Sequence, residues 1–169
     1  LGRYRAPSPR QALAAYLSAK RTWKRGMAMQ LFIGGACAGK RDAVAARFPT
    51  ANGWRLDAAK PFSDSQQALV ADIPLVITGV LEWLSAALER DDNDTLRQQW
   101  QNDMAALCQR AEALNAPLII IANEVGRGIV PMQPEQRRLR DLNGWFVQDA
   151  TAQAEQVWYV RHGLVMAVK

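Results

Sequence analysis

Leu31-Phe32-Ile33-Gly34-Gly35-Ala36-Cys37-Ala38-Gly39-Lys40 is the stretch whose reading decides the fold. Leu31–Ile33 is apolar and long enough for a short buried strand, and it enters a glycine-rich turn. A lysine follows, then a helix-forming Ala43-Val44-Ala45-Ala46. Gly34-x-x-x-x-Gly39-Lys40 has the spacing of a phosphate-cradling P-loop. Its glycines let backbone N–H groups turn inward toward an anion, and the next helix offers its positive N-terminus to the same point. Gly34, Gly35, Ala36, Cys37, Ala38, Gly39, Lys40 and Arg41 are therefore the candidate phosphate-binding residues, with Lys40 reaching the outer phosphates. Arg41 departs from the pattern, which places there a Ser or Thr whose hydroxyl holds Mg²⁺. The competing reading is a strand-to-helix turn that binds nothing; the strand–loop–helix context favours the P-loop.

Working outward, two more apolar runs follow. Ile73 to Thr78 reads as a second buried strand and Pro117 to Ala122 as a third, each apolar nearly throughout. Continuous apolar strands separated by helices predict a parallel sheet covered on both faces. Leu81, Leu84, Ala87 and Leu88 share one helical face. Leu96, Trp100, Met104, Cys108 and Ala111 step by three and four along another helix, which makes the Trp and Met core rather than a cofactor box. Asp91-Asp92-Asn93-Asp94 is read as a solvated loop with Asp94 as N-cap, not as a metal site. Residues 49–66 read as irregular and polar, anchored by Trp54 and Phe62. A helix over Glu135 to Ala154 leads to short strands at Val157–Val160 and Leu164–Val168 around His162-Gly163, a hairpin. The predicted fold class is α/β, a P-loop, mostly parallel sheet flanked by helices with a C-terminal β-hairpin. Asn123-Glu124-Val125-Gly126-Arg127-Gly128-Ile129-Val130-Pro131 falls at a strand's carboxyl end, the edge where open α/β sheets bind ligands.

The chain has 169 residues, 49% of them apolar, which suits one domain with a sizeable core. No apolar run reaches 18 residues, so no membrane span is expected. Cys37 and Cys108 have no metal-ligand spacing and suit a reducing cytosol, so the expected location is cytoplasmic. Cys37 reads as a small filler, in preference to a thiol whose pKa the helix end lowers. The net charge of +5 is uneven: residues 1–26 hold seven basic residues and no acid, leaving 14 basic against 16 acidic residues elsewhere. A nucleic-acid-binding domain is therefore not expected. The reading divides the chain into a basic extension, 1–26, and a single nucleotide-binding domain, 27–169. Ser8-Pro9-Arg10-Gln11 has the form of a capping box, with Ala12, Leu13, Tyr16 and Leu17 on one helical face. This segment is open to three readings: a membrane-surface or transit-type helix, an arm for a partner, or upstream sequence read through from an early start. The third is preferred, with Met27 or Met29 as initiator.

Taken together, these residues resemble the bifunctional adenosylcobinamide kinase / adenosylcobinamide-phosphate guanylyltransferase family of cobalamin biosynthesis. The features that carry the resemblance are Phe32-Ile33-Gly34-Gly35-Ala36-x-x-Gly39-Lys40, the Trp54-Arg55 pair, Asn123-Glu124-Val125-Gly126-x-Gly128-Ile129-Val130-Pro131, and Arg140-Asp141-x-x-Gly144 with Gln148, Ala152, Val157-Trp158 and Gly163. The resemblance implies a RecA-like P-loop fold and a homo-oligomer, a trimer in the family. It implies ATP or GTP as the nucleotide and adenosylcobinamide, a corrinoid, as the substrate. One implied reaction phosphorylates the aminopropanol hydroxyl of that substrate; the other transfers GMP to the phosphate through a guanylylated histidine.

Several positions depart from the family pattern. Only Phe48 to Gly53 fills an interval where the family has a strand and a His-bearing helix, and the sole histidine, His162, lies in the terminal hairpin. Guanylyl transfer, which needs an imidazole beside the α-phosphate, is therefore expected to be lost. Arg41 and Thr78 replace a hydroxyl and an acid, which weakens Mg²⁺ binding, and Val147 replaces an Asn. No protein-built metal site is assigned. Besides an acidic-surfaced scaffold with no ligand, two expectations stay open. One is a kinase in which Lys40 and Glu124 are catalytic, Glu124 holding Mg²⁺ through water or orienting the acceptor hydroxyl, and Arg140 pairs with a phosphate or with Asp141. The other is a non-catalytic nucleotide-binding homologue with a regulatory or interaction role.

Overall fold

The computed structural model describes residues 29–126 and 128–169, together with Arg10. Apart from Arg10, the expectations for the segment 1–26, its cap and its helical face, lie outside the described residues. The chain runs β1 (Met29–Gly34), α1 (Lys40–Arg47), β2 (Asn52–Arg55), a 3₁₀ segment (Phe62–Ala68), β3 (Leu75–Thr78) and α2 (Val80–Ala87). It continues with α3 (Asn93–Ala113), β4 (Leu118–Asn123), α4 (Pro134–Gln153), β5 (Gln156–Arg161) and β6 (Leu164–Ala167). The six strands form one sheet in the order β2-β3-β4-β1-β5-β6. All neighbours are parallel except β5 and β6, which pair antiparallel. The α/β class, the mostly parallel sheet and the C-terminal hairpin are as the apolar runs predict.

Alternation along the strands sends residues to two cores. Met29 and Leu31 of β1, with Leu118 and Ile120 of β4, face α2, α3 and α4 and join Phe62, Trp83, Trp100, Met104 and Phe146. Phe32, Ile119 and Ile121 face the other way with Val160, where Val44 of α1 covers them. Trp100 and Phe146 meet edge to face at 5.7 Å between ring centroids, as Phe62 and Trp83 do at 5.8 Å. The second face is thinner. There Arg47 lies 3.9 Å over the Trp158 ring, and Trp158 Nε1 donates to the buried Gln30 at 3.0 Å.

Four local expectations are corrected. Residues 49–66 are not wholly irregular, because Asn52–Arg55 forms edge strand β2 on β3. Of its four residues only Trp54 packs toward the core, so no apolar run announced it. The cap of α3 is Asp92, not Asp94: its carboxylate accepts the Thr95 N–H at 2.9 Å and the Thr95 hydroxyl at 2.8 Å. On α2 the buried set is Val80, Trp83, Leu84 and Ala87, with Leu81 only half-buried, so the face is rotated by one residue. On α3 Leu107 is fully buried while Cys108 is half-buried.

Candidate functional site

β1 ends at Gly34, where the chain must pass close to β5. A Cβ at Gly34 would collide with the Val160 carbonyl oxygen, so the position demands glycine. The turn that follows is closed by the Ala38 N–H donating to the Gly35 carbonyl at 3.3 Å. Cys37 sits at φ 55 with its side chain exposed, which corrects the reading of that thiol as filler. Gly39, at φ 93, is the N-cap of α1 and supplies no side-chain cap. The first amides of α1 consequently have no intrahelical partner, the arrangement that receives anions.

The C-terminal hairpin buttresses this loop. The Gly163 N–H donates to the Ala38 carbonyl at 2.9 Å, and a Cβ at Gly39 would stand 3.2 Å from Gly163 Cα. His162 is the other turn residue, exposed and at φ 52. The sequence alone gave no sign that residues 124 positions apart meet here.

Lys40 is only 7% exposed. Its ammonium donates to the Gly34 carbonyl at 2.9 Å and the Gly35 carbonyl at 2.6 Å, wrapping back over the loop it follows. Burial pushes its pKa below the ordinary lysine range; Cys37 opposes that shift and Arg41 adds to it. Residues 36–42 form one wall of a cavity of about 490 Å³, residues 78–82 form the opposite wall, and Ile121 and Asn123 complete it. Arg41 is part of the wall. Six of the eight candidate phosphate-binding residues, Ala36 to Arg41, line this cavity; Gly34 and Gly35 are not part of its wall, and their carbonyls hold the Lys40 ammonium.

Glu124 enters from β4. Its N–H donates to the Gly34 carbonyl at 2.9 Å, so it stands directly across from the start of the loop. Its carboxylate accepts the Tyr159 hydroxyl at 2.8 Å. Glu124, Asn143, Val147, Tyr159 and Lys169 line a second cavity, of about 530 Å³, on the β5 side. Asn123 lines both cavities. Arg140 donates through Nε and Nη2 to its neighbour Asp141 at 3.0 and 2.9 Å, so of its two expected partners the structure shows the carboxylate. Asn143 and Tyr159 escaped the sequence reading. Asn143 sits at an unspecified position of Arg140-Asp141-x-x-Gly144, and Tyr159 in an otherwise apolar strand pattern.

Arg41 and Thr78 bring a guanidinium and a neutral hydroxyl to the cavity wall. The same wall carries the carboxylates of Asp42 and Glu82. Among the described residues no group of three or more His, Cys, Asp or Glu side chains gathers where a metal could be held. Nor is any described helix long and apolar enough to cross a membrane.

Residues 50–168 match the family model described as cobinamide kinase / cobinamide phosphate guanyltransferase. The match begins beyond the phosphate loop and contains Glu124, Arg140 and Asp141. The chain is 30% identical over 142 residues to the bifunctional adenosylcobalamin biosynthesis protein CobU of Salmonella typhimurium, an alignment covering 76% of this chain and 74% of that protein. It is 34% identical over 88 residues to the protein of the same name from Escherichia coli, covering 52% of this chain and 44% of that protein. A third relative is the bifunctional adenosylcobalamin biosynthesis protein CobP of Pseudomonas aeruginosa, 30% identical over 95 residues, 56% of this chain and 53% of that protein.

Proposed function

This chain belongs to the cobinamide kinase / cobinamide phosphate guanyltransferase family, and from that premise we propose that it is a nucleotide-dependent cobinamide kinase that has lost guanylyl transfer. The observation that carries the reading is the juxtaposition of Lys40 and Glu124 about Gly34. The lysine is bonded to the Gly34 carbonyl by its side chain, the glutamate by its backbone N–H. The loop amides and the N-terminus of α1 hold the phosphates of ATP or GTP, and Lys40 turns from its own carbonyls to the outer phosphates. Catalysis of this kind is positioning plus charge stabilisation. The acceptor hydroxyl oxygen bonds to the terminal phosphorus, the bond from that phosphorus to the bridging oxygen breaks, and the nucleoside diphosphate leaves. Glu124 orients the hydroxyl and accepts its proton. Arg41 supplies fixed positive charge at the cavity wall, and no step is routed through a metal. The proposed loss of guanylyl transfer rests on the sequence, whose single histidine, His162, lies in the exposed hairpin turn rather than in the segment between the phosphate loop and Trp54-Arg55. The working assembly is a homo-oligomer acting in the cytoplasm, with no nucleic-acid or membrane partner.

A specific observation favours a second reading. Arg41 is a cation that binds phosphate without following the reaction, and Lys40 already spends its bonds on loop carbonyls. Both suit a nucleotide-binding homologue without turnover. A transfer assay separates the two. γ-Labelled ATP and GTP are incubated with the protein and adenosylcobinamide, with and without Mg²⁺. The kinase reading expects label in the corrinoid; nucleotide binding that ignores Mg²⁺, with no labelled corrinoid, establishes the second.

A further inference from the structure

We propose that Tyr159 is a positioning residue for phosphoryl transfer: its hydroxyl holds the Glu124 carboxylate on the α4 side of the sheet, apart from the phosphates and the Lys40 ammonium. This rests on the kinase reading above, in which Glu124 orients the acceptor hydroxyl, and adds to that site a residue outside the motifs that carry the family resemblance.

β1 lies between β4 and β5, and the two groups reach its end from these opposite neighbours. Gly34 pairs with Asn123, so Glu124 is the first residue beyond β4. Its N–H donates to the Gly34 carbonyl at 2.9 Å, which fixes its backbone. On the other side, Tyr159 pairs with Ile33, one residue before the loop. Alternation along β5 sends Trp158 and Val160 to the α1 face and Val157 to the α4 face. Tyr159 shares the face of Val157. Ile33, Val157, Tyr159 and Glu124 accordingly line the cavity on that side, and Glu124 is not part of the wall of the phosphate-loop cavity. There the Tyr159 hydroxyl donates to Glu124 Oε2 at 2.8 Å.

A glutamate side chain is long and flexible, and at this position its direction decides what it does. The Gly34 carbonyl that receives the Glu124 N–H also receives the Lys40 ammonium, at 2.9 Å. A carboxylate that swung to that ammonium would cancel charge meant for the outer phosphates and would itself stand as a like charge beside a polyanion. The phenol opposes that swing. A hydrogen bond to an ionised carboxylate is short and strong, and a ring with two side-chain torsions on a paired strand gives up little freedom to make it. Glu124 and Tyr159 each have further interactions; a carboxylate offers about four acceptor positions, and the phenol takes one. The hairpin that buttresses the phosphate loop through Gly163 thus also sets the carboxylate through Tyr159, so β5 and its turn align both halves of the site.

The test follows label from γ-labelled ATP or GTP into adenosylcobinamide with the full chain, as wild type, Tyr159→Phe, Glu124→Asp and the double variant. Tyr159→Phe removes one oxygen and keeps the ring in its half-buried place. It should lower kcat about tenfold, the size expected for one hydrogen bond to a charged group, and leave nucleotide affinity unchanged. Glu124→Asp draws the carboxylate back from the phenol, so adding Tyr159→Phe to it should lower kcat by less than about twofold more. A Tyr159→Phe with wild-type kcat overturns the assignment and leaves the kinase reading standing, because a ring that only packs is preserved in Phe. The same tenfold fall repeated on the Glu124→Asp background also overturns it, since the phenol would then act independently of the carboxylate. So does a folded Tyr159→Phe that binds nucleotide more weakly, which would place the role in the phosphate loop. A wild type that binds nucleotide but leaves the corrinoid unlabelled removes the kinase reading, and this assignment with it.

Discussion

Beneath the aromatic core on the α3–α4 face, Asp149 receives Arg97 Nε at 3.0 Å, Arg97 Nη2 at 2.9 Å and Trp100 Nε1 at 2.8 Å. At the carboxyl edge of the sheet, among the described residues, Lys40 bonds to carbonyls of its own turn, Asn143 Oδ1 is buried without a hydrogen-bond partner, and Cys37 and Gly39 hold positive φ. One region closes its polar groups with side chains of two helices, α3 and α4. The other has a helix start without a side-chain cap beside a cavity. The same chain can do both because most of its apolar core lies on the face packed by α2, α3 and α4, while the loop depends on strand ends and a hairpin turn. Positive φ occurs at Cys37 of the loop and His162 of the hairpin turn, and also at Asp72 and Asn115 away from them.

Substitutions that separate the two regions should fall in a definite order. Trp100→Ala removes a fully buried ring and should cost about 4 kcal/mol in chemical denaturation; nucleotide affinity of the molecules that remain folded should not change. Gly34→Ala forces a methyl group onto the Val160 carbonyl and should cost about 3 kcal/mol, with nucleotide binding lost as well because β5 and the loop move together. Asp149→Asn should cost about 2 kcal/mol at neutral pH. Burial alone would raise the Asp149 carboxyl, but the bonds from Arg97, Trp100 and Gln101 outweigh it and hold the pKa below the ordinary carboxylate range. Because the folded value is the lower, this stabilisation is complete above the unfolded carboxyl's pKa, about 3.9, and disappears as pH falls through the folded one. Denaturation curves of wild type and Asp149→Asn should therefore converge in acid.

The smallest stability effect belongs to Lys40→Met. The folded lysine binds its proton less tightly than the unfolded one, so at neutral pH its charge is held at a cost, and stability rises with pH toward the ordinary lysine range. Thermal melting should show Lys40→Met no less stable than wild type, with a gain of up to about 1 kcal/mol. A clear loss would mean that the two carbonyl bonds outweigh the burial.

What the sequence made legible follows the same division. Leu31–Ile33 and Leu118–Ile121 are apolar at every position, because both faces of their strands are covered, and so were readable. The loop was readable because its glycines answer a backbone requirement set by local spacing. Edge strand β2 was not, because its solvent-facing residues carry no pattern. Cys37 was misread because exposure at a strained turn leaves no trace in composition. The buttress of Gly163 on Gly39 and the position of Asn143 against Asn123 depend on register between distant elements, which no local window contains. The family resemblance supplied Glu124, but it contributed nothing on Tyr159 or on the second cavity.

Calorimetric titration of ATP and of GTP into wild type and into Lys40→Ala is the most direct measurement of whether the mouth of β1 gathers a polyanion. Wild type is expected to bind at least one of the two nucleotides, and a folded Lys40→Ala to bind it about 100-fold more weakly, since a desolvated ammonium on the outer phosphates is lost. Equal affinity in both proteins, or no heat with either nucleotide in wild type, would contradict the account.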